Sequence, residues 1–351
     1  MVNDMKVVVG LSGGVDSAVT AYLLKNQGYE VHCIYVRMMD DDSESSDAKA
    51  VAELLELPFE VVDYRDQFEN SVISNFIDEY TSGRTPNPCI ICNRDSKWRA
   101  MLDFADEVGA EYVATGHYAR IDKLNNGRFT ISNSESAEKD QTYVLCRLTQ
   151  NMLSRTLMPL GDYTKDRVRA IAEEIGLNVA GKPDSQDICF IPDNDHYKFL
   201  SAKSPDKVHS EGNFINEAGE VIGVHKGIEA YTIGQRKGLN IAMGHPVYVS
   251  SISAENNTVT ISDIDVYSSE MSVSDISEMG MMLSEITDDI IFNVRVRYAH
   301  RGEMAHVTLY KKENATCMLQ VTFDNPVRAI APGQTAVFYI DGKIMFSGTI
   351  D

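Results

Sequence analysis

The sequence predicts an α/β protein: a doubly wound parallel sheet at the N-terminus, then two small β-rich domains, the last a β-barrel. Three observations carry this. Strand-like apolar runs alternate with helical stretches through the first two-thirds of the 351 residues. The first strand passes through a glycine-rich turn into a helix, Lys6-Val-Val-Val-Gly-Leu-Ser-Gly-Gly-Val-Asp-Ser17. Beyond residue 203 helical periodicity stops and hairpin signals replace it. These shifts divide the chain into 1–203, 204–265 and 266–351.

The elements follow in order. After the first strand, Ala18 to Gln27 reads as a helix stopped by Gly28. Val31 to Val36 is a strand, Asp47 to Leu57 a helix ended before Pro58, and Phe59 to Val62 a strand. Gln67 to Thr81 is a long helix and Glu111 to Thr115 another strand. Ligands of such sheets sit at the carboxyl ends of the strands, which gathers the loops after residues 9, 36 and 115 around one pocket. The third loop is Ala114-Thr-Gly-His-Tyr-Ala119. There Gly116 would let a nucleotide approach the backbone, and His117 is either a satisfied structural histidine or part of the site.

Thr149 to Leu160 and Tyr163 to Gly176 read as helices, and Gly181 to Asp187 breaks regularity before Ile188-Cys189-Phe190. Phe214 to Ile222 is a hairpin; Val247 to Ile252 and Thr258 to Ile261 flank a turn at Asn256-Asn257. Thr335 to Ile340 and Lys343 to Phe346 flank Asp341-Gly342, a strong two-residue hairpin signal. The acidic stretch 263–289 is expected to join two small β modules.

Composition excludes several classes. No apolar run reaches the length of a membrane span, and the N-terminus leads directly into the first strand, leaving no room for a signal peptide. Six cysteines are too few for a disulfide scaffold in a chain this long, so a reducing cytoplasm is expected. Net charge is −20, which alone opposes nucleic-acid binding. The acid is uneven, however: eight acidic residues and no Lys or Arg lie between Asp263 and Asp289. Basic residues gather at Arg84, Arg94, Lys97 and Arg99, at Arg236-Lys237, and at Arg295, Arg297 and Arg301. Such a strip either holds RNA or is simply a solvated face.

Strand, glycine turn and helix together offer free amides and a helix N-terminus to a phosphate. Gly13 and Gly14 permit close approach, Ser12 and Ser17 add hydroxyls, and Asp16 is expected to hold Mg²⁺. The Walker A ending Gly-Lys-Ser/Thr is missing. Ser-Gly-Gly-Val-Asp-Ser instead resembles the PP-loop of the ATP pyrophosphatases, which cut ATP between its α- and β-phosphates.

Thr85-Pro-Asn-Pro-Cys-Ile-Ile-Cys-Asn93 is the second informative stretch. Asn93 reads as an N-cap, with Trp98, Met101, Leu102, Ala105 and Val108 as the apolar stripe of the helix after it. Cys92 would then precede a helix N-terminus beside Arg94, Lys97 and Arg99, an environment that favours thiolate. The Cys89–Cys92 pair has three readings: half of a zinc site, a redox pair, or a nucleophile with a neighbour. Cys189 lies in an irregular loop able to return to the same pocket. A third sulfur permits sulfur relay, or an iron–sulfur cluster on Cys89, Cys92 and Cys189. Cys33, Cys146 and Cys317 lie in apolar strand-like runs and are expected to be buried and inert.

These residues resemble the tRNA-specific 2-thiouridylases over nearly the whole chain. The likeness rests on Gly10 to Ser17, Arg84-Thr-Pro-Asn-Pro followed by Cys92-Asn93, Ala114 to Arg120, and Lys139-Asp-Gln-Thr-Tyr143. It continues through Ser185 to Ile191, Tyr231 to Gly238, and Pro326-Val-Arg to Pro332-Gly-Gln334. The resemblance implies an adenine nucleotide alpha hydrolase-like first domain and a C-terminal barrel that meets tRNA. It implies an enzyme that replaces the 2-oxygen of the wobble uridine by sulfur in tRNAs for Lys, Glu and Gln. Cofactors would be ATP and Mg²⁺, and partners tRNA rather than DNA, with a cysteine desulfurase or sulfur carrier as donor. Carried over, Gly10, Leu11, Ser12, Gly13, Gly14, Val15, Asp16 and Ser17 would bind ATP, with Val36 and Gly116 around the adenosine. Cys92 would be the nucleophile and Cys189 the persulfide carrier. Asn87, Pro88 and Cys89 stand where the family meets the target base. His117, Lys139, Asp140, Gln141, Arg297, Tyr298 and Gln334 match positions that touch tRNA. Two departures stand out: many members have Asp at Cys89 and Met at Val36. The competing readings are another adenylating PP-loop enzyme, such as an amide-forming ligase, and a cysteine-based metal or cluster module that binds RNA.

Overall fold

Three consecutive valines with no solvent exposure, Val7 to Val9, make β1 (Lys6–Gly10) the centre of the first sheet. The computed structural model describes residues 5–40, 43–177, 188–311 and 317–351. From β1 the chain passes through α1 (Val15–Asn26), β2 (Glu30–Arg37), α2 (Ser43–Leu54) and β3 (Phe59–Asp63). Next come α3 (Arg65–Phe68), a π-helical turn Glu69–Ile73, and α4 (Ser74–Thr81). A second helical run begins at α5 (Pro88–Cys92), crosses the π-helical turn Asn93–Lys97 and continues as α6 (Trp98–Val108). β4 (Tyr112–Ala114), the hairpin β5 (Arg120–Lys123) and β6 (Phe129–Ser132), α7 (Gln150–Ser154), β7 (Thr156–Leu157), α8 (Lys165–Glu174) and α9 (His196–Lys203) follow.

The sheet order is β3-β2-β1-β4-β7, parallel throughout. The chain reverses direction across the sheet between β1 and β4, so a crevice opens at their carboxyl ends. One face of the sheet is covered by α1, α2 and α8 through Val19, Leu24, Val51 and Ile171. The other is covered by α6 through fully buried Trp98, with Met101 and Ala105.

Four strands form a second sheet: β8 (Gly212–Ile215), β9 (Val221–His225), β10 (Tyr248–Ser253) and β11 (Thr258–Ser262), in the order β10-β11-β8-β9. Six more close a barrel: β12 (Tyr267–Glu278), β13 (Ile291–Arg295), β14 (Glu303–Lys311), β15 (Cys317–Arg328), β16 (Thr335–Ile340) and β17 (Lys343–Ile350). Closure comes from β12, which pairs with both β15 and β17. Phe338 and Phe346 stack on one another and Phe292 meets both edge-on, filling the interior. Among the described residues no helix is long and apolar enough to cross a membrane.

Several expectations are corrected. The acidic stretch 263–289 is not merely a joint, because it contains the twelve-residue β12. Its buried Met271 and Val273 alternate with outward Glu270 and Ser272, a strand period hidden by the surplus charge. Thr149 to Leu160 is not one helix: the sequence forms the short α7, the edge strand β7 and a 3₁₀ turn at Pro159–Asp162. Cys146 lies at the end of a 3₁₀ turn rather than in a strand, and Cys317 is half-buried, not buried. The hairpin Arg120–Ser132 was not foreseen, and it does not join the sheet of its own half. Ser132 pairs with Lys343 of β17, so the hairpin extends the barrel's sheet. The irregular run 181–187 lies outside the described residues.

Candidate functional site

The phosphate loop is built by backbone geometry. Gly14 precedes α1 in an extended conformation and supplies no side-chain cap, so the first amides of a twelve-residue helix keep no partner from a capping side chain. Ser12 N–H donates to Ser17 Oγ at 3.1 Å, and Ser17 Oγ donates to the Gly14 carbonyl at 3.2 Å, which fixes the turn. Gly13 is left-handed, with φ 72°, and a Cβ there would lie 2.8 Å from Asp47 Cβ. Gly116 is required for space: a Cβ would lie 2.7 Å from both Asp16 C and Ser17 N. The loop after β4 therefore rests on the first turn of α1, as the strand order predicts. Val36 lies one residue before the end of β2, beside β1.

Asp16 is engaged by two side chains from other elements. Lys165 Nζ donates to both of its oxygens, at 2.9 and 2.8 Å, and Tyr118 Oη donates to Oδ1 at 2.9 Å. Its charge is matched by the Lys165 ammonium. Lys165, the first residue of α8 after the Thr164 cap, gave no local signal in the sequence, because only the fold brings it to the loop.

The segments that carry Cys92 and Cys189 come together in one apolar cluster. Cys92 is buried in an apolar cluster with Phe68, Val72, Ile73 and Phe76; Ile188, Phe190 and Ile191, the neighbours of Cys189, pack into the same cluster. Cys92 Sγ lies 3.6 Å from Sδ of Met38, just past the end of β2. Cys89 and Cys189 are exposed to solvent, and all six cysteines are free. Among the described residues no group of three or more His, Cys, Asp or Glu side chains stands close enough to hold a metal ion, so an iron–sulfur cluster on Cys89, Cys92 and Cys189 is not supported.

The helix expected to start after Cys92 starts earlier. Pro88 occupies the first turn, Asn87 precedes it, and Asn93 lies within the helical run, buried, donating to the Val144 carbonyl at 2.9 Å rather than capping. Cys92 thus gains nothing from a helix N-terminus, and burial pushes its thiol up to about 12. Cys89 and Cys189 reach solvent, but the protein packed around them withdraws water from a thiolate and raises both as well. Lys97, which sits a π-helical turn after Cys92, opposes all three shifts. Burial works against the Lys97 charge, but Cys92, Cys89 and Cys189 outweigh it and its pKa is raised. Burial and Lys97 together pull His117 down to about 3, so its ring is neutral; Nδ1 lies 2.9 Å from Thr115 Oγ1, and the ring faces Trp98. Alkylation of Cys92 by iodoacetamide in the free protein should therefore climb about tenfold per pH unit between about pH 7 and 10, without levelling off. A plateau near neutral pH would contradict the buried, protonated thiol.

The other positions matched to tRNA contacts lie around the mouth of this site, and several are internally bonded. Asp140 is paired with Arg295 at 2.9 Å, and Gln141 accepts from the Tyr118 amide at 2.9 Å. Lys139 ends a 3₁₀ turn beside them. Arg297 donates to the Arg328 carbonyl at 2.8 Å, and Gln334 to the Thr85 and Pro86 carbonyls at 3.0 and 3.3 Å. The buried Tyr143 hydroxyl donates to the Thr335 carbonyl at 2.8 Å with Asn87 near it, and Tyr298 is half exposed near Cys89. Of the basic residues, Arg94 is forked onto Asp95, while Arg99, Arg236, Lys237 and Arg301 are exposed.

Comparison with known proteins agrees along the whole length. Residues 5–193 match a tRNA methyl transferase HUP domain model, 198–263 a tRNA methyl transferase PRC-barrel domain, and 269–350 an aminomethyltransferase beta-barrel domain. The tRNA-specific 2-thiouridylase MnmA of Clostridium perfringens is 44% identical over 99% of this chain and 98% of its own. That of Lachnoclostridium phytofermentans is 43% identical over 98% and 99%. A solved 4-thiouridine synthetase–RNA complex with bound ATP overlaps loosely, at TM-score 0.40 and 19% identity over 58% of this chain and 51% of that one.

Proposed function

The chain belongs to the tRNA-specific 2-thiouridylase family, and we propose that it thiolates the wobble uridine of tRNAs for Lys, Glu and Gln in the cytoplasm. The observation that carries this reading is the meeting of Cys92 with the segment around Cys189 in one apolar cluster, in a domain that also carries the loop suited to phosphate. We read the chain as three functional parts: 1–203 for chemistry, 204–265 as a small β-rich domain, and 266–351 as a tRNA-contacting barrel.

A uridine 2-carbonyl is a poor electrophile with a poor leaving oxygen. That oxygen attacks the α-phosphorus of ATP and pyrophosphate leaves; adenylation makes C2 reactive. The loop Gly10 to Ser17 holds the phosphates through those amides that its own turn and the sheet leave without a partner, with Val36 and Gly116 at the adenosine. The uridine leaves its stack and lies against Asn87, Pro88 and Cys89. His117, Lys139, Gln141, Tyr298 and the exposed cations Arg99, Arg236, Lys237 and Arg301 face the RNA. Asp140, Arg297 and Gln334 hold the surfaces that do so. A cysteine desulfurase or carrier loads Cys189 with a sulfane sulfur. That sulfur attacks C2 as AMP departs, and Cys92 then attacks Cys189 Sγ, leaving sulfur on the base. Alternatively Cys92 first releases sulfide, which attacks C2. Both routes end in a Cys92–Cys189 disulfide. Lys97 faces whichever sulfur carries the negative charge.

Incubation with ATP, tRNA and a sulfide source tests this: AMP, pyrophosphate and 2-thiouridine should appear together. No tRNA-dependent pyrophosphate release would overturn the reading. Because Lys165 supplies the ammonium beside the loop, Lys165→Met should raise the KM for ATP about tenfold or more, as it leaves a bare carboxylate facing the phosphates. Lys165→Arg should recover part of that loss, as measured by pyrophosphate release.

A further inference from the structure

We propose that Cys89 is the resolving thiol of the sulfur-transfer cycle: it opens the Cys92–Cys189 disulfide and returns Cys189 ready for reloading. The inference rests on the reading above, in which that disulfide is the end product of each turnover.

Three features of the site point to it. First, Cys89 and Cys92 share α5 three residues apart, so they lie on one face about a helical turn apart. Three residues of helix rise about 4.5 Å, and α-carbons so spaced lie within the range that a disulfide spans. Second, the two thiols differ in access: Cys92 is buried, while Cys89 opens to solvent. An external reductant cannot reach Cys92 directly, whereas Cys89 borders both solvent and Cys92. Third, Cys89 and Cys189 both act on Cys92, Cys89 acts on Cys189, and the Lys97 ammonium acts on all three, while among the described residues no group of three metal-ligating side chains is gathered. That arrangement suits exchange among sulfurs better than ligation of a metal.

The step balances as thiol–disulfide exchange. The Cys89 thiolate attacks Cys92 Sγ, a Cys89–Cys92 bond forms, and the Cys92–Cys189 bond breaks. Cys189 leaves as a thiolate facing Lys97. A dithiol protein reductant then supplies two electrons and two protons through the exposed Cys89, and is itself left as a disulfide.

The test uses the full-length protein, loaded at Cys189 by a cysteine desulfurase and given tRNA and ATP for one turnover without reductant. The reaction is quenched with acid and N-ethylmaleimide, and linked peptides are identified by mass spectrometry. Wild type should yield mainly the Cys89–Cys92 link, and Cys89→Ser mainly Cys92–Cys189. With a thioredoxin-type reductant, the steady-state rate of Cys89→Ser relative to its own first-turnover rate should fall about tenfold. Cys89→Asp should behave like Cys89→Ser. A dominant Cys92–Cys189 link in wild type, an undiminished rate ratio in Cys89→Ser, or iron and acid-labile sulfide bound to active protein would overturn the proposal. Failure of the underlying reading looks different: 2-thiouridine would still form in Cys92→Ser, and neither link would appear in any variant.

Discussion

Cys92→Ser is expected to lower 2-thiouridine formation by at least about a thousandfold, while tRNA-dependent pyrophosphate release continues. The asymmetry is the informative part. Adenylation needs the phosphate loop and the base, and Cys92 touches neither set of reacting atoms in that step. Sulfur delivery needs a thiol able to accept the Cys189 sulfur, and serine cannot form that bond. The substitution is nearly isosteric, so the surrounding cluster of Phe68, Val72 and Phe76 should keep its packing. Unchanged thermal unfolding, alongside lost thiolation and retained pyrophosphate release, would locate the defect in chemistry. Loss of both activities would mean that Cys92 supports the site as a whole.

Gly116→Ala is expected to act one step earlier, raising the KM for ATP about a hundredfold and depressing pyrophosphate release with it. The added methyl would stand 2.7 Å from two backbone atoms of α1, and neither belongs to a side chain that can turn aside. Either the loop after β4 or the first turn of α1 must retreat by a large fraction of an ångström. Both surround the position assigned to the nucleotide. Nucleotide titration followed by calorimetry separates the two outcomes: weak binding supports this account, and full affinity with normal pyrophosphate release defeats it.

Much of this was legible from local pattern. Val7 to Gly10 followed by two glycines and Asp16 specified strand, loop and helix, because the chemistry of close approach leaves few other residue choices. Cys92 and the segment around Cys189, read from the sequence as able to meet, do share one apolar cluster. What stayed hidden depends on long-range placement. Lys165 reaches Asp16 across 149 positions of sequence, and nothing near it announces a partner. The helix around Cys92 was misplaced because Asn93 looks like a cap, although Asn87 and Pro88 supply an equally good start further upstream. That error carried an electrostatic one with it: a cysteine within the helix is governed by burial, not by the terminus. β12 was missed because outward Glu270 and Asp275 overshadowed the alternate buried positions in a charge count.

The hairpin β5–β6 is encoded before residue 133, yet its sheet partner is encoded after residue 342. A ribosome that has finished the first sheet has therefore not finished the structure to which that hairpin belongs. Until the last strand emerges, the edge of β6 has no mate, and a truncated product would present it to other chains. Shuffling the terminal barrel between relatives as a free-standing cassette would break the same seam, so the two ends of this polypeptide are constrained to evolve as one inheritance.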